Sequence, residues 1–234
     1  MTVNLHRTFL AVNEIDDQDT LAFWSDLQRV MDSVHQGMSI VGPWMEARVK
    51  VMIRGWLPDG WAVSGPSQIF CPTRPGYRSR SWDVVVHRSL SERSDLPPAA
   101  SAETGFPLIP KEAVRVVIDS KTNFSNPREY ADLTVFNLAN NATERQTDFL
   151  GPEIVKVLLI AASASGSPDS LLQTGLACGL NAFCLGRYRA SPVSDGMERE
   201  SGWKLARYRD GKFPLQCFKA TVLTALADVE RRID

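Results

Sequence analysis

A mixed α/β fold is what this sequence predicts, and three observations predict it. Runs that are mostly aliphatic and rich in β-branched residues, broken only by Arg115 and Lys156, recur at residues 84–86, 114–118 and 154–161, the pattern of strands covered on both faces. Around them lie stretches with apolar residues three and four apart, the pattern of amphipathic helices. The chain has 234 residues with 44% hydrophobic content, enough to bury a sizeable core as a single domain.

Taken in order, residues 17–36 place Leu21, Phe23, Trp24, Leu27, Val30, Met31 and Val34 at helical spacing. Residues 42–56 repeat the pattern with Met45, Val49, Met52, Ile53 and Trp56, so the two helices are expected to pack together. Glu46 adjoins the apolar face of the second helix. Trp61, Val63, Ile69 and Phe70, interrupted by Gly65-Pro66, read as short strand material. The run Ser81-Trp82-Asp83-Val84-Val85-Val86-His87 then places an acid at the start of a buried strand. Arg74, Arg78, Arg80 and Tyr77 lie just before that acid, and Arg88 and Arg93 follow it. Such a cluster either steers phosphates toward a site or keeps an exposed turn soluble. Residues 95–105 read as a polar loop.

Val116-Val117-Ile118-Asp119-Ser120-Lys121 carries the strongest chemical signal. Side chains at i and i+2 of a strand share a face, so Asp119 and Lys121 address one point in space while Ser120 faces the opposite layer. A carboxylate there can hold Mg²⁺ through oxygen, and the ammonium beside it can orient a water and offset charge on a phosphoryl group. The triplet alone is equally the pattern of a solvated salt bridge. Asp83 changes the weighting: if its strand neighbours the 114–118 strand, Asp83 and Asp119 approach closely enough to share a divalent cation.

Beyond Lys121, a turn over 123–126 leads to Pro127, which suits the first position of a helix running to about residue 140. Residues 154–161 read as a central strand, 170–180 as a helix, and 181–189 with 203–208 as two strands around a polar loop. The last helix spans 214–233, with Phe218, Val222, Leu223, Leu226 and Val229 at helical spacing. The sequence around Ala162-Ser163-Ala164-Ser165-Gly166 lacks both the lysine of a phosphate loop and the glycines of a serine-nucleophile turn.

Composition narrows the function classes. A net charge of −1 argues against a generally basic nucleic-acid surface and leaves only local phosphate contacts. Cys71, Cys178, Cys184 and Cys217 form no C-x-x-C pair, so free thiols are expected and a zinc site is not. No segment approaches the roughly 18 uninterrupted apolar residues of a membrane span, and residues 1–11 have no signal-peptide core. A cytoplasmic protein is expected.

The order of these features resembles the PD-(D/E)XK restriction-endonuclease-like superfamily, and within it the NucC-like effector nucleases of bacterial anti-phage (CBASS) defence. The resemblance is carried by residues 42–140: Glu46 on a helix, Leu57-Pro58, Trp82-Asp83-Val84-Val85-Val86, then Ile109-Pro110-Lys111-Glu112-Ala113-Val114 running into Val117-Ile118-Asp119-Ser120-Lys121. Asp119 stands where the family more often has glutamate, and Trp82 where a small or aliphatic residue is common. The resemblance implies a restriction-endonuclease-like core with a mixed central β-sheet flanked by α-helices. One nuclease domain would occupy residues 1–234: an N-terminal helical part (1–41), a catalytic core (42–140) and C-terminal strands and helix completing the fold (141–234).

It further implies a Mg²⁺- or Mn²⁺-dependent endodeoxyribonuclease acting on double-stranded DNA. Asp83, Asp119 and the backbone carbonyl of Ser120 would hold the metal, Lys121 would position the attacking water, and Glu46 would be the helix acid. Arg78, Arg80 and Arg88 are the expected DNA contacts. A cyclic oligonucleotide activator and a homo-oligomer, a trimer or a dimer of trimers, follow from the same resemblance. Two other classes compete: a catalytically inactive nuclease-fold protein of assembly or DNA binding, and a nucleotide-sensing module in which the acids are incidental. Two carboxylates set together would cost stability without a cation to offset them, which favours the enzyme.

Overall fold

A computed structural model describes residues 22–23, 25–27, 29–30, 41–74, 76–90, 100–101, 106–123, 136–137, 146–163, 180–190, 203–207 and 214–230. Its centre is the hydrophobic run that the sequence marks most strongly. Val84–Arg88 (β4) pairs antiparallel with Val114–Asn123 (β7), matching Val84 with Ile118 and Val85 with Val117. On its other edge β7 runs parallel to Val155–Ser163 (β9), with Asp119 opposite Leu158. Trp61–Ser64 (β1) adds to β4, while Asn181–Ala190 (β10) and Trp203–Arg207 (β11) extend the far side. The result is a six-stranded mixed sheet in the order β1-β4-β7-β9-β10-β11.

Both faces of this sheet are covered, which is why its middle strands lack a polar alternation. On one face pack the helix Val41–Arg54 (α1), through Val41, Met45, Val49 and Ile53, and the C-terminal helix Pro214–Glu230, through Leu215, Phe218, Val222 and Leu226. They meet Val84, Val86, Val116, Ile118, Val157 and Leu159. Phe23 and Leu27 join this core, and the Phe23 ring lies 6.1 Å from Trp44, as expected for the 17–36 helix packing on its successor. The other face carries Val85 and Val117 and meets Ile69, Trp82, Ile109, Phe149, Leu150 and Ile154.

That second layer is a small sheet the sequence did not announce. Its order is Ala100–Ser101 (β5), Pro107–Pro110 (β6), Gln68–Phe70 (β2), Tyr77–Arg78 (β3) and Phe136–Asn137 (β8). The strand material of 61–70 therefore divides between two sheets at Gly65-Pro66. Two expectations are corrected here. The helix expected from Pro127 to about residue 140 does not hold at Phe136–Asn137, a strand paired with Tyr77–Arg78, and the rest of that span lies outside the described residues. The loop expected over 95–105 contains a short edge strand at Ala100–Ser101. In both places an edge of the small sheet takes up backbone groups that local pattern assigned elsewhere. The 170–180 helix lies outside the described residues apart from Leu180, which is not helical. Among the described residues no helix is long and apolar enough to cross a membrane.

His87 is a buried polar member of this framework. Its Nδ1 donates to the Arg88 carbonyl at 2.7 Å, so the neutral ring presents Nε2 to accept from the Ser64 hydroxyl at 2.8 Å. Burial holds its pKa below the usual 6.5. As the pH falls below about 6.5 the unfolded chain takes up a proton that the folded ring resists, and stability declines by up to about 1.4 kcal/mol per pH unit. His87→Gln is expected to remove this acid-side slope in urea titrations between about pH 6.5 and 5; an unchanged slope would show that His87 is not its source.

Candidate active site

The antiparallel register of β4 and β7 places Asp83, the residue before β4, beside Asp119 and Ser120. The Ser120 backbone N–H donates to Asp83 Oδ2 at 2.7 Å, and the Ser120 hydroxyl donates to the same oxygen at 3.2 Å. On β7, Lys121 stands two residues beyond Asp119, and its Nζ is 2.9 Å from Asp119 Oδ1 and 3.9 Å from Asp83 Oδ2. The strand geometry expected from the D-x-K spacing is what brings acid and ammonium together. Gly65 helps hold the acid in place. Its φ of +150° disfavours a side chain, and a Cβ there would meet the Asp83 carbonyl at 2.0 Å.

Arg80 is the member that sequence reasoning placed differently. Expected as a DNA contact, it directs Nη2 to Asp119 Oδ2 at 2.7 Å. Its guanidinium also lies 4.1 Å from the Trp82 ring centroid, in cation–π range. Trp82 is itself buried in the second core layer, so the unusual residue before Asp83 is a platform for Arg80. The i, i+2 spacing of Arg80 and Trp82 was the available signal, because it puts both side chains on one side of an extended segment.

The electrostatics follow from this crowding. Burial, with Asp119 as hydrogen-bond partner and like charge, raises the Asp83 pKa from 3.8 to about 7. Asp119 is almost fully buried, which by itself would raise its pKa, but Arg80, the hydrogen bond with Asp83 and Lys121 together hold it below the usual carboxylate range. The pair therefore favours one shared proton near neutrality. The sign for Asp83 opposes that for His87: the folded state binds more protons than the unfolded chain between about pH 3.8 and 7, so stability falls as the pH rises through that window. Asp83→Asn is expected to raise the urea midpoint of the metal-free protein most at pH 8, with the gain shrinking toward pH 5. A gain that grows on acidification would contradict this.

The remaining expected residues are dispersed. Glu46 is half-buried on α1, one turn before Lys50, whose ammonium donates to the Gly65 carbonyl at 2.9 Å. Because α1 packs on the face carrying Val116 and Ile118, it lies across the sheet from the side to which strand alternation assigns Asp119 and Lys121. Among the described residues no set of three or more His, Cys, Asp or Glu side chains is grouped as a metal site; the structure gathers two carboxylates here, without Glu46. Arg78 is on β3, opposite Phe70 and Phe136 in the small sheet. Arg88 ends β4 with its guanidinium 4.1 Å from the Trp61 ring centroid; it lies roughly 16 Å along the strand from Asp83. Arg74 stacks on Tyr77 at 3.7 Å, and Arg93 lies outside the described residues.

The acid pair suits a divalent cation. Asp119 Oδ1 is buried with no hydrogen bond of good geometry, its near neighbour being the Lys121 ammonium, and Asp83 carries a second carboxylate to the same point. Two hard oxygen donors of opposed charge to the ion are the donor set that Mg²⁺ or Mn²⁺ takes.

No protein-family model matches this sequence, and no curated protein matches it. Solved structures do match the fold. NucC of P. aeruginosa ATCC27853 in its cAAA-bound form aligns with a TM-score of 0.54 at 17% identity, covering 90% of each chain. NucC of E. coli MS115-1, also cAAA-bound, aligns with a TM-score of 0.51 at 16% identity, covering 96% of this chain and 92% of that one. Across nearly its whole length, then, the chain resembles NucC in fold, a mixed α/β arrangement of sheet and flanking helices.

Proposed function

We propose that this protein is a metal-dependent endonuclease that hydrolyses phosphodiester bonds in double-stranded DNA as an anti-phage effector. The observation that carries the reading is the convergence of Asp83, Asp119 and Lys121 at adjacent strand ends, with Asp119 2.9 Å from the ammonium. Asp83 and Asp119 would hold Mg²⁺ or Mn²⁺ together with the Ser120 carbonyl. When bound, such a cation supplies Lewis-acid stabilisation of negative charge on the phosphoryl and leaving oxygens. Lys121 orients the attacking water and offsets charge on the phosphate, while burial of Asp119 keeps bulk water from competing for its oxygens.

One domain, residues 1–234, is proposed to carry this activity. Cutting both strands of a duplex calls for two sites, so a homo-oligomer is proposed, a trimer or a dimer of trimers by likeness to NucC. The cAAA in the two matching NucC structures supports a cyclic oligonucleotide as activator. Arg78 and Arg88 are proposed to contact DNA at the rim, and Glu46 to act only if α1 shifts on metal or DNA binding.

Purified protein incubated with Mg²⁺ and supercoiled or linear duplex DNA, with and without a panel of cyclic oligonucleotides, tests the proposal. Cleavage that requires Mg²⁺ and one cyclic oligonucleotide is the expected result. No cleavage under any condition, with no Mn²⁺ bound in calorimetry, would leave an assembly or nucleotide-sensing protein on a nuclease scaffold.

A further inference from the structure

Arg80 belongs to none of the roles that the fold implies for an acid-acid-lysine site, yet it makes one of the shortest contacts there. Its Nη2 is 2.7 Å from Asp119 Oδ2. Two restraints hold it in that position. The Trp82 ring lies beneath the guanidinium at 4.1 Å, and Trp82 is 2% exposed, so the platform is anchored in the core. The segment leading into it is also tied down, since the Ser79 backbone N–H donates to the Ile69 carbonyl at 2.7 Å and the Ser79 hydroxyl to the Arg80 carbonyl at 2.6 Å.

Charge balance gives this arrangement a consequence. Even with both carboxylates ionised, as a bound cation would require, Arg80 and Lys121 bring the sum to zero, so a divalent cation entering the pair meets a site whose negative charge is already matched. A guanidinium is always charged and cannot shed its proton to make room. It must either yield Asp119 Oδ2 or stay and repel the incoming ion, and both weaken metal binding. Lys121 is on the strand itself and belongs to the reaction; Arg80 comes from the connection before β4 and spans 39 residues to reach Asp119.

We propose that Arg80 is a resident counter-cation that competes with the divalent metal for Asp119 and thereby sets the metal affinity of the site. Arg80 is a positioning residue in this role: it acts through Asp119. The inference rests on the proposed metal site at Asp83 and Asp119. In the metal-free protein Arg80 holds the buried Asp119 carboxylate as its counter-charge; Asp83 and Asp119 would hold a divalent cation, which would supply that counter-charge in its place.

The test is Mn²⁺ binding to the full-length protein, read by the loss of the free-ion electron paramagnetic resonance signal, with no DNA present. Arg80→Gln and Arg80→Met, the latter keeping an aliphatic cover on Trp82, are expected to bind Mn²⁺ about tenfold more tightly than wild type, whereas Arg80→Lys, which keeps the charge, stays near wild type. Circular dichroism melting establishes that each variant is folded. Equal or weaker binding by both folded neutral variants overturns the proposal while leaving the metal site standing. If wild type and both variants alike bind no Mn²⁺, the metal reading falls and the proposal falls with it. A merely structural role for Arg80 would lower affinity in every variant, and tighter binding is the signature it would not produce.

Discussion

Lys121→Met is expected to reduce Mg²⁺-dependent cleavage of duplex DNA by about 10³-fold while leaving Mn²⁺ bound. Methionine keeps much of the side-chain length and removes only the charge, so the loss would report the ammonium and not the packing around it. Lys121 is about a third exposed, and its contribution to stability is correspondingly small through solvent screening. Asp119→Asn is the companion variant. It removes the anionic partner of both Arg80 and Lys121, so cleavage and Mn²⁺ binding are both expected to disappear. Loss of cleavage with retained metal in one variant, and loss of both in the other, separates the group that orients water from the group that holds the ion. Cleavage within about tenfold of wild type in both variants would remove this site from consideration.

Trp82→Ala is expected to be the most destabilising single change near the site. Trp82 is among the largest fully buried side chains and packs with Ile69, Val85, Ile109 and Val117 between the two sheets. Truncating a buried aromatic of this size costs about 3–5 kcal/mol, which for a chain of this length lowers the melting temperature by roughly 10 °C. The backbone at the same residue bridges the sheets, with Ser67 N–H donating to the Trp82 carbonyl and Trp82 N–H to the Ser67 carbonyl. Trp82→Phe keeps the ring beneath Arg80 and is expected to recover more than half of the loss. A melting temperature within about 2 °C of wild type for the alanine variant would mean that the space between the sheets collapses freely and that Trp82 is not its filler.

Much of the framework was legible in the residues because the strands that matter are buried on both faces. Val84-Val85-Val86 and Val116-Val117-Ile118 read as continuous apolar runs for that reason, and the same property made β9 visible. The candidate site was legible to the extent that it depends on local geometry. Asp119 and Lys121 share a face because strands have a period of two, and Asp83 joins them once β4 and β7 are neighbours. The proline-containing segment before β7 also fell into place, as Pro107–Pro110 followed by a short 3₁₀ turn at Lys111–Ala113.

What local pattern did not place depended on edges and on distant partners. Phe136 and Asn137 carry no signal that they will complete an edge beside Tyr77 and Arg78, since the requirement belongs to the open backbone groups of β3. Glu46 adjoins an apolar stripe in sequence, but which face of the sheet that stripe covers is settled by α1 packing on Val116 and Ile118. Arg80 looked like one of several arginines in a basic turn, and only the folded chain carries it across to Asp119.

The sequence by itself determined the strands, the shared face of Asp119 and Lys121 and the presence of an acid at the head of β4, because each rests on short-range covalent geometry and on the periodicity of burial. Tertiary structure alone decided that two sheets enclose Trp82, that no third acid is grouped with the pair among the described residues and that an arginine pairs with Asp119. Those outcomes depend on which surfaces and charges come together at long range, where desolvation selects partners that local spacing does not encode.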